Sequence, residues 1–305
     1  MDWIDRYREP MDSAESRLAV GVVGTGRVGA ALGAALQRAG HRVVAASGVS
    51  EPSRRRAEKL LPGVPLVAPQ DVLAAADLAL LTVPDDALPG LVEGLVATGS
   101  VRPGTIVVHT SGRYGFTVLD AATRAGALPL ALHPAMTFTG TEVDVARLAG
   151  CSFGVTAPDP LRPIAEALVV EMGGEPEWIE ESARPLYHAA LAYGSNYLVT
   201  LVAQAEDLLA AAGVREPGRM LGPLLGAALD NALRSGDLAL TGPVARGDAG
   251  TVSAHVDVLQ KEDPQAARGY RALGRLTADR ALASGLLSAE KAEPLLGVLN
   301  KEADA

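Results

Sequence analysis

The stretch Leu18-Ala19-Val20-Gly21-Val22-Val23-Gly24-Thr25-Gly26-Arg27-Val28-Gly29, with Gly33 four residues further on, decides how the rest of the chain is read. Leu18–Val23 is an unbroken apolar run of strand length. A small-residue helix is predicted from Val28 to Ala39, where Gly40 ends it. Between them lies the pattern GxGxxG. In a chain with 33 glycines the pattern alone is weak. Placed directly after a strand and at the opening of a helix, it is the dinucleotide fingerprint. The first glycine permits a tight turn, the second lets backbone N–H groups approach a pyrophosphate, and the third lets helix and strand pack closely. The predicted phosphate-binding set is therefore Gly24, Thr25, Gly26, Arg27, Val28 and Gly29.

Outward from that loop, strands are predicted at Arg42–Ala46, Leu66–Val67, Leu78–Val83, Thr105–Thr110, Leu128–Leu132 and Ser152–Thr156, with helical segments between most of them. Runs such as LALLTV and TIVVHT do not alternate, so both of their faces are covered, as in a parallel sheet flanked by crossover helices. The expected class is α/β, a doubly wound and mainly parallel sheet. From about Ser182 the apolar spacing becomes helical, and the longest segment runs from Arg184 to Ala212. Three parts follow: a tail over 1–17, a nucleotide-binding domain over 18–180, and an all-helical domain for substrate and dimerisation over 181–305. A length of 305 residues suits two domains of roughly 150 each. The net charge of −9 argues against a nucleic-acid or anionic-membrane binder, which needs a basic face. No apolar run reaches the ~18 residues of a membrane helix. The lone cysteine, Cys151, forms neither an internal disulfide nor a multi-cysteine metal site, which suits a reducing cytoplasm.

The end of the second strand selects the cofactor. An NAD enzyme usually places Asp or Glu there for the ribose hydroxyls. Here the strand ends Ala46-Ser47-Gly48, followed by Ser50, Ser53, Arg54, Arg55 and Arg56. Three arginines near a helix start oppose the helix dipole unless an anion sits among them. Ser47, Arg54 and Arg55 are thus expected to hold a 2′-phosphate, which favours NADP (as NADPH); the alternative is a solvated basic face paired with Glu58. After the next long strand, Val83 and Pro84 lie near the carboxyl ends and are expected to help bind the cofactor, and Asp85 or Asp86 is expected to cap a helix.

Two further strands end in His109-Thr110-Ser111-Gly112 and Leu132-His133-Pro134, on the same sheet edge as the glycine loop. Ser111 and His133 are candidate active-site groups, whereas His109, inside an apolar strand, reads as a satisfied core histidine. On the long helix His188, Ser195 and Glu206 share one stripe, with Asn196 at its margin. Such a stripe lines a wet cleft or an interface, because it cannot face a dry core without partners. Arg246, in Thr241-Gly242-Pro243-Val244-Ala245-Arg246-Gly247-Asp248, either clamps a carboxylate or pairs with Asp248. No metal site is expected, since His and acidic residues show no ligand spacing.

GVVGTGRVG, HTSG, LHPAMTF, YHAALAYGSNYLVT and TGPVARGD, which span most of residues 18 to 260, together resemble the family of Rossmann-like proteins with a C-terminal domain of unknown function, within the larger 6-phosphogluconate-dehydrogenase-like group. The resemblance implies an NADP oxidoreductase that dimerises through its C-terminal helices; a ketopantoate reductase role is suggested for some members. Relatives in that group usually carry Lys-x-x-x-Asn on the long helix. Here Asn196 is present and Ala192 replaces the lysine, so His188, or else His133, is the substitute proton donor. Relatives often show Ser-Arg where this chain has Ser47-Gly48. The resulting expectation is a cytoplasmic, homodimeric, NADPH-dependent reductase of a small carboxylate with a carbonyl, such as ketopantoate. His188, Asn196, Ser111 and His133 are its catalytic residues, and Arg246 and Ser195 its substrate-binding residues. The Ser111/His133 pair also looks like that of prephenate dehydrogenases, a second chemistry. A non-catalytic dinucleotide sensor is the third reading.

Overall fold

A computed structural model describes residues 17–301. The expected tail over 1–17 therefore lies, except for Arg17, outside the described residues. Seven strands form one sheet: β1 (Ala19–Val23), β2 (Arg42–Ser47), β3 (Leu78–Leu81), β4 (Ile106–His109), β5 (Leu128–Pro134), β6 (Ser152–Thr156) and β7 (Glu175–Trp178). Their order is β2-β1-β3-β4-β5-β6-β7. The first five are parallel, β6 runs antiparallel to β5, and β7 runs parallel to β6. The sheet is mainly parallel, as expected.

Two segments differ from expectation. Leu66–Val67 supplies a single bridge, Leu66 to Ala46, because Pro65 has no N–H to donate and Pro69 already opens a helix. Conversely, Glu175-Pro176-Glu177-Trp178 forms β7, which the sequence hides behind its charges. It is the last strand of the sheet, and an edge is where proline and charge are tolerated.

The sheet is covered on both faces by α1 (Arg27–Arg38), α2 (Glu51–Leu60), α3 (Pro69–Ala75), α4 (Leu88–Ala97), α5 (Asp120–Arg124), α6 (Glu142–Arg147) and α7 (Arg162–Glu171). Alternate strand residues sort cleanly between the two faces. Val20, Val22, Leu78, Leu80 and Val108 pack in one cluster with Leu32, Leu36 and Leu168 of α1 and α7. Val23, Ala79, Leu81 and Val107 pack in the other with Val72, Leu88 and Val92 of α3 and α4. Because β2 and β3 flank β1 on opposite sides, the chain reverses its winding beside β1. The crevice at the carboxyl ends of such a switch point is where open α/β sheets bind ligands.

Helix α8 (Arg184–Ala211) follows, one residue shorter than the predicted run. The chain divides into two compact units at Gly194 and Ser195, inside this helix, while the expected boundary near Glu180 marks the end of the last strand. The second unit continues with α9 (Pro217–Ser235), α10 (Pro243–Arg246), α11 (Ala249–Glu262), α12 (Pro264–Ala283) and α13 (Ala289–Leu299). Its core gathers Val244, Val252, Ala278, Ala281, Leu287, Leu295 and Leu299. Among the described residues no helix is long and apolar enough to cross a membrane.

Candidate active site

The glycine loop is built by its neighbours. Gly24 adopts a φ of 98°, a conformation that favours glycine. The Gly24 and Thr25 N–H groups both donate to the Ser47 carbonyl at the end of β2, at 3.1 and 2.8 Å. The Ser47 hydroxyl also accepts from Gly24 N–H at 3.3 Å. Thr82, just past β3, donates its hydroxyl to the Gly24 carbonyl at 2.5 Å. Thr25 is fully buried and donates to the Ser53 carbonyl.

Within that frame the two remaining glycines of the motif have different reasons to be there. A side chain at Gly29 would run into the Thr82 hydroxyl and the Gly24 carbonyl, so this glycine exists for packing. One at Gly26 would meet nothing within 4 Å. Space is therefore left at the start of α1, whose first turn carries no acid and no side-chain cap. The N–H groups of Arg27, Val28 and Gly29 have no acceptor within the helix and lie at its positive end. These residues fit a dinucleotide pyrophosphate.

The arginine run separates into distinct environments. Arg54 Nε donates to the Gly48 carbonyl at the end of β2, 3.3 Å away. Arg55 pairs instead with Glu51 at 3.0 Å, one turn earlier on α2. Arg56 and Arg27 converge on Gly140, where an added Cβ would lie 2.6 Å from Arg56 Nε and 3.1 Å from Arg27 Cγ. The loop around Gly140 is wrapped on Asp144, which accepts from the N–H groups of Thr139 and Gly140. Among the described residues Arg54 and Arg56 make no ion pair. Glu58, the partner of this run in the alternative reading, makes none either. Val83 and Pro84 lie between β3 and the 3-10 turn Asp85–Ala87. That turn has no side-chain cap, so neither aspartate plays the expected capping part at its start.

A polar cluster occupies the carboxyl ends of β4 and β5. His109 is fully buried with both ring nitrogens engaged: Nε2 faces the Gly115 carbonyl at 2.8 Å, and Nδ1 accepts from Ser111 N–H at 3.2 Å. Ser111 in turn accepts from the N–H groups of Arg113 and Tyr114, which leaves its O–H as a donor. His133 Nδ1 lies 2.9 Å from the Tyr187 hydroxyl on the first turn of α8. The rings of His133 and His188 meet edge to face, 5.9 Å between centroids. Gly112 is pressed between them, since an added Cβ would lie 2.7 Å from His188 Cδ2 and 3.0 Å from His133 Nε2. Ser111, His133 and His188 are thus brought together.

Burial is the main cause that pushes His109 and His133 down to about 4, and the positive charge of Arg184 acts in the same direction on both. At neutral pH both rings are neutral. The Tyr187 hydroxyl is pushed up by burial and stays protonated, so it has a proton to donate to His133 Nδ1. With Tyr187 as donor, the His133 proton sits on Nε2, the nitrogen beside Gly112.

Ser195 and Asn196 stand two turns beyond His188 on α8, in the second unit, and both are exposed. Arg246 is held within its own loop, by Asp248 at 2.8 Å and by the Thr241 carbonyl. Residues that sequence reasoning did not assign to the site are Thr82, Arg184 and Tyr187. Tyr187 directly precedes His188, and Arg184 opens the helix beside Glu180 and Glu181, where it reads as an ordinary surface charge. Among the described residues no cluster of three or more His, Cys, Asp or Glu side chains is arranged to hold a metal ion.

A Rossmann-like domain matches residues 5–134, and a domain of unknown function, DUF2520, matches residues 151–277. No curated protein sequence matches the chain. Among solved structures, a Bacteroides fragilis protein provisionally described as an NADP oxidoreductase is 23% identical, with 86% of this chain and 98% of that one covered and a TM-score of 0.72. An imine reductase from a Pseudomonas species is 18% identical over 93% of this chain and 100% of its own, with a TM-score of 0.63. A Plasmodium falciparum pyrroline carboxylate reductase with NADP bound is 12% identical over 88% and 98%, with a TM-score of 0.56. At these identities the likeness is one of fold.

Proposed function

Starting from a chain that joins a Rossmann-like domain to DUF2520, we propose an NADPH-dependent oxidoreductase that reduces the carbonyl of a small carboxylate, a 2-keto acid such as ketopantoate. One observation carries the reading: the uncapped start of α1, left open at Gly26, shares a sheet edge with Ser111 and His133. The solved structures of similar fold, which include a reductase with NADP bound, support it.

NADPH, when bound, supplies the hydride and so carries the difficult step of the chemistry. The backbone N–H groups of Arg27, Val28 and Gly29 bind its pyrophosphate, and Arg54 meets the 2′-phosphate at the end of β2. Neutral His133 donates a hydrogen bond from Nε2 to the substrate oxygen, and Ser111 donates its hydroxyl to the same atom. A neutral ring suits that task, since a hydrogen bond from it polarises the oxygen without a full proton transfer. His188, only partly buried beside Gly112, delivers the proton to the developing alkoxide. Arg246, already held by Asp248, is given no part. The single thiol suits a cytoplasmic setting.

A second reading has its own support. Ala192 stands where related dehydrogenases keep a lysine acid, and the neighbours of similar fold include imine and pyrroline carboxylate reductases. An iminium needs less acid help, because it already bears its proton. NADPH oxidation over 2-keto acids and cyclic imino acids, with prephenate and NADP+ run in the oxidative direction, separates the readings. Turnover of a keto acid supports the first and turnover of an imino acid the second. NADPH binding without turnover of any of them overturns both.

The same reading includes a homodimer formed through the helices of the second unit. On α9, Met220 and Leu224 lie exposed on one side and Leu229 and Leu233 on the other. Large apolar side chains left exposed on two sides of a helix call for cover, and a second copy is the commonest one.

A further inference from the structure

Arg184 is fully buried, yet among the described residues it forms no ion pair. Its guanidinium instead donates to four oxygens, on β5, on β6 and just past β4. Nε donates to the Thr156 hydroxyl at 2.7 Å, Nη1 to the Ser111 carbonyl at 3.3 Å, and Nη2 to the carbonyls of Ala131 and Gly154 at 3.0 and 2.9 Å. It also lies 5.7 Å from the centre of the Tyr187 ring. An unpaired buried cation is expensive, and a shorter apolar residue would start α8 without that penalty. Its neighbours explain its presence. Ser111 is held at its carbonyl, Ala131 lies two residues before His133 in β5, and Tyr187 is one turn further along α8.

We propose that Arg184 is a positioning residue for the reduction, which fixes Ser111, His133 and Tyr187 in one arrangement at the strand ends. This rests on the reading above, in which Ser111 and His133 hold the substrate oxygen. A planar fork with five donors can reach four oxygens lying in different directions, whereas a lysine ammonium cannot. The titratable groups around the pair are His109, His188, Tyr187 and Glu181. Glu181 is occupied by the Phe116 and Thr117 N–H groups, so Arg184 supplies the fixed charge that faces His133.

The test is a ring-nitrogen NMR titration of His133 in the full chain, beside steady-state kinetics. In the wild type His133 stays neutral to about pH 4, with its proton on Nε2. In Arg184→Met the midpoint moves up, both tautomers appear, and kcat falls on the order of 10²-fold while KM for NADPH holds, as expected for misplaced reacting groups. Arg184→Lys keeps the charge but restores neither the single tautomer nor kcat. If Arg184→Met does not fold, Thr156→Val removes only the Nε acceptor and moves the same signals less far. Unchanged His133 signals in whichever of Arg184→Met and Thr156→Val folds would mean that Arg184 merely glues the fold, and the proposal falls. The ring measurement needs no turnover. Shifted signals in a chain that reduces no substrate overturn the reductase reading and leave the arrangement around Arg184 intact.

Discussion

In β3 and β4 every residue is buried, and in β1 all but the first, whereas α9 buries a single residue, Leu221, over its 19 positions. The two regions put their apolar residues to different ends. The sheet closes its own core on both faces, so the groups at its carboxyl edge are held by covalent and hydrogen-bonded neighbours. The helical unit has a smaller core built around α10 to α13 and leaves Leu224, Leu229 and Leu233 of α9 in solvent. A rigid half can hold chemistry. An uncovered half calls for a partner surface.

The largest effect should come from the two glycines that the sheet half treats oppositely. Gly29→Ala drives a methyl into the Thr82 hydroxyl and the Gly24 carbonyl, one of them backbone, and should cost about 3 kcal/mol or more, at the top of the overpacking range. Gly26→Ala meets nothing and should leave the melting temperature unchanged while weakening NADPH. Calorimetric Kd values and thermal melts on both variants check this. Equal melting temperatures would show that the third glycine is not there for packing.

The helical half is tested next. Replacing Leu224 and Leu233 by Glu removes two apolar side chains per copy, each worth ~1.5–3 kcal/mol when buried. Light scattering should then report monomers where the wild type reports dimers, with circular dichroism unchanged. A variant that remains dimeric places the interface elsewhere.

His188→Ala should lower kcat by ~10²-fold, the scale of general acid catalysis, with little change in NADPH binding. A rate near that of the wild type removes His188 from the mechanism and passes its role to the Tyr187–His133 pair.

Much of this contrast was legible in the sequence. LALLTV and TIVVHT announced buried parallel strands because nothing in them alternates, and the glycine loop announced the turn that begins α1. β7 was not legible: its glutamates and proline suit an edge, and edges obey weaker rules. At the site, Ser111, His133 and His188 could be named from their places at strand ends and on one helix. Arg184 and Tyr187 could not. Their roles depend on which carbonyls the strands turn toward α8, a long-range fact that no local spacing encodes. The arginine run shows the same limit: the residues are adjacent in sequence, but helical geometry sends Arg54, Arg55 and Arg56 toward Gly48, Glu51 and Gly140 in turn.

Acid sharpens the comparison further. Folded, His109 and His133 take up a proton only near pH 4, whereas in the unfolded chain each does so near 6.5. Below 6.5 the unfolded state therefore binds more protons. The stability linked to these rings is fully present above that pH and is lost as pH falls toward 4. His109 alone should withdraw ~1.4 kcal/mol per pH unit across that window. The helical unit has only His255, which is exposed. Hydrogen exchange at pH 5 should thus open β4 and β5 before α11 to α13. The reverse order would contradict the burial argument.

The smallest expected effect lies within the basic run at the end of β2. Arg54 reaches back to Gly48, while Arg55 is turned away and held by Glu51. Arg54→Ala should weaken NADPH about tenfold, in keeping with loss of one hydrogen bond to a charged group, and leave NADH untouched. Arg55→Ala should change neither, because its guanidinium already has a carboxylate and points along the solvent face of α2. Competition binding with both cofactors measures this directly. If Arg55→Ala discriminates and Arg54→Ala does not, α2 rotates when the cofactor enters, and the sheet half is less rigid at this edge than its buried strands suggest.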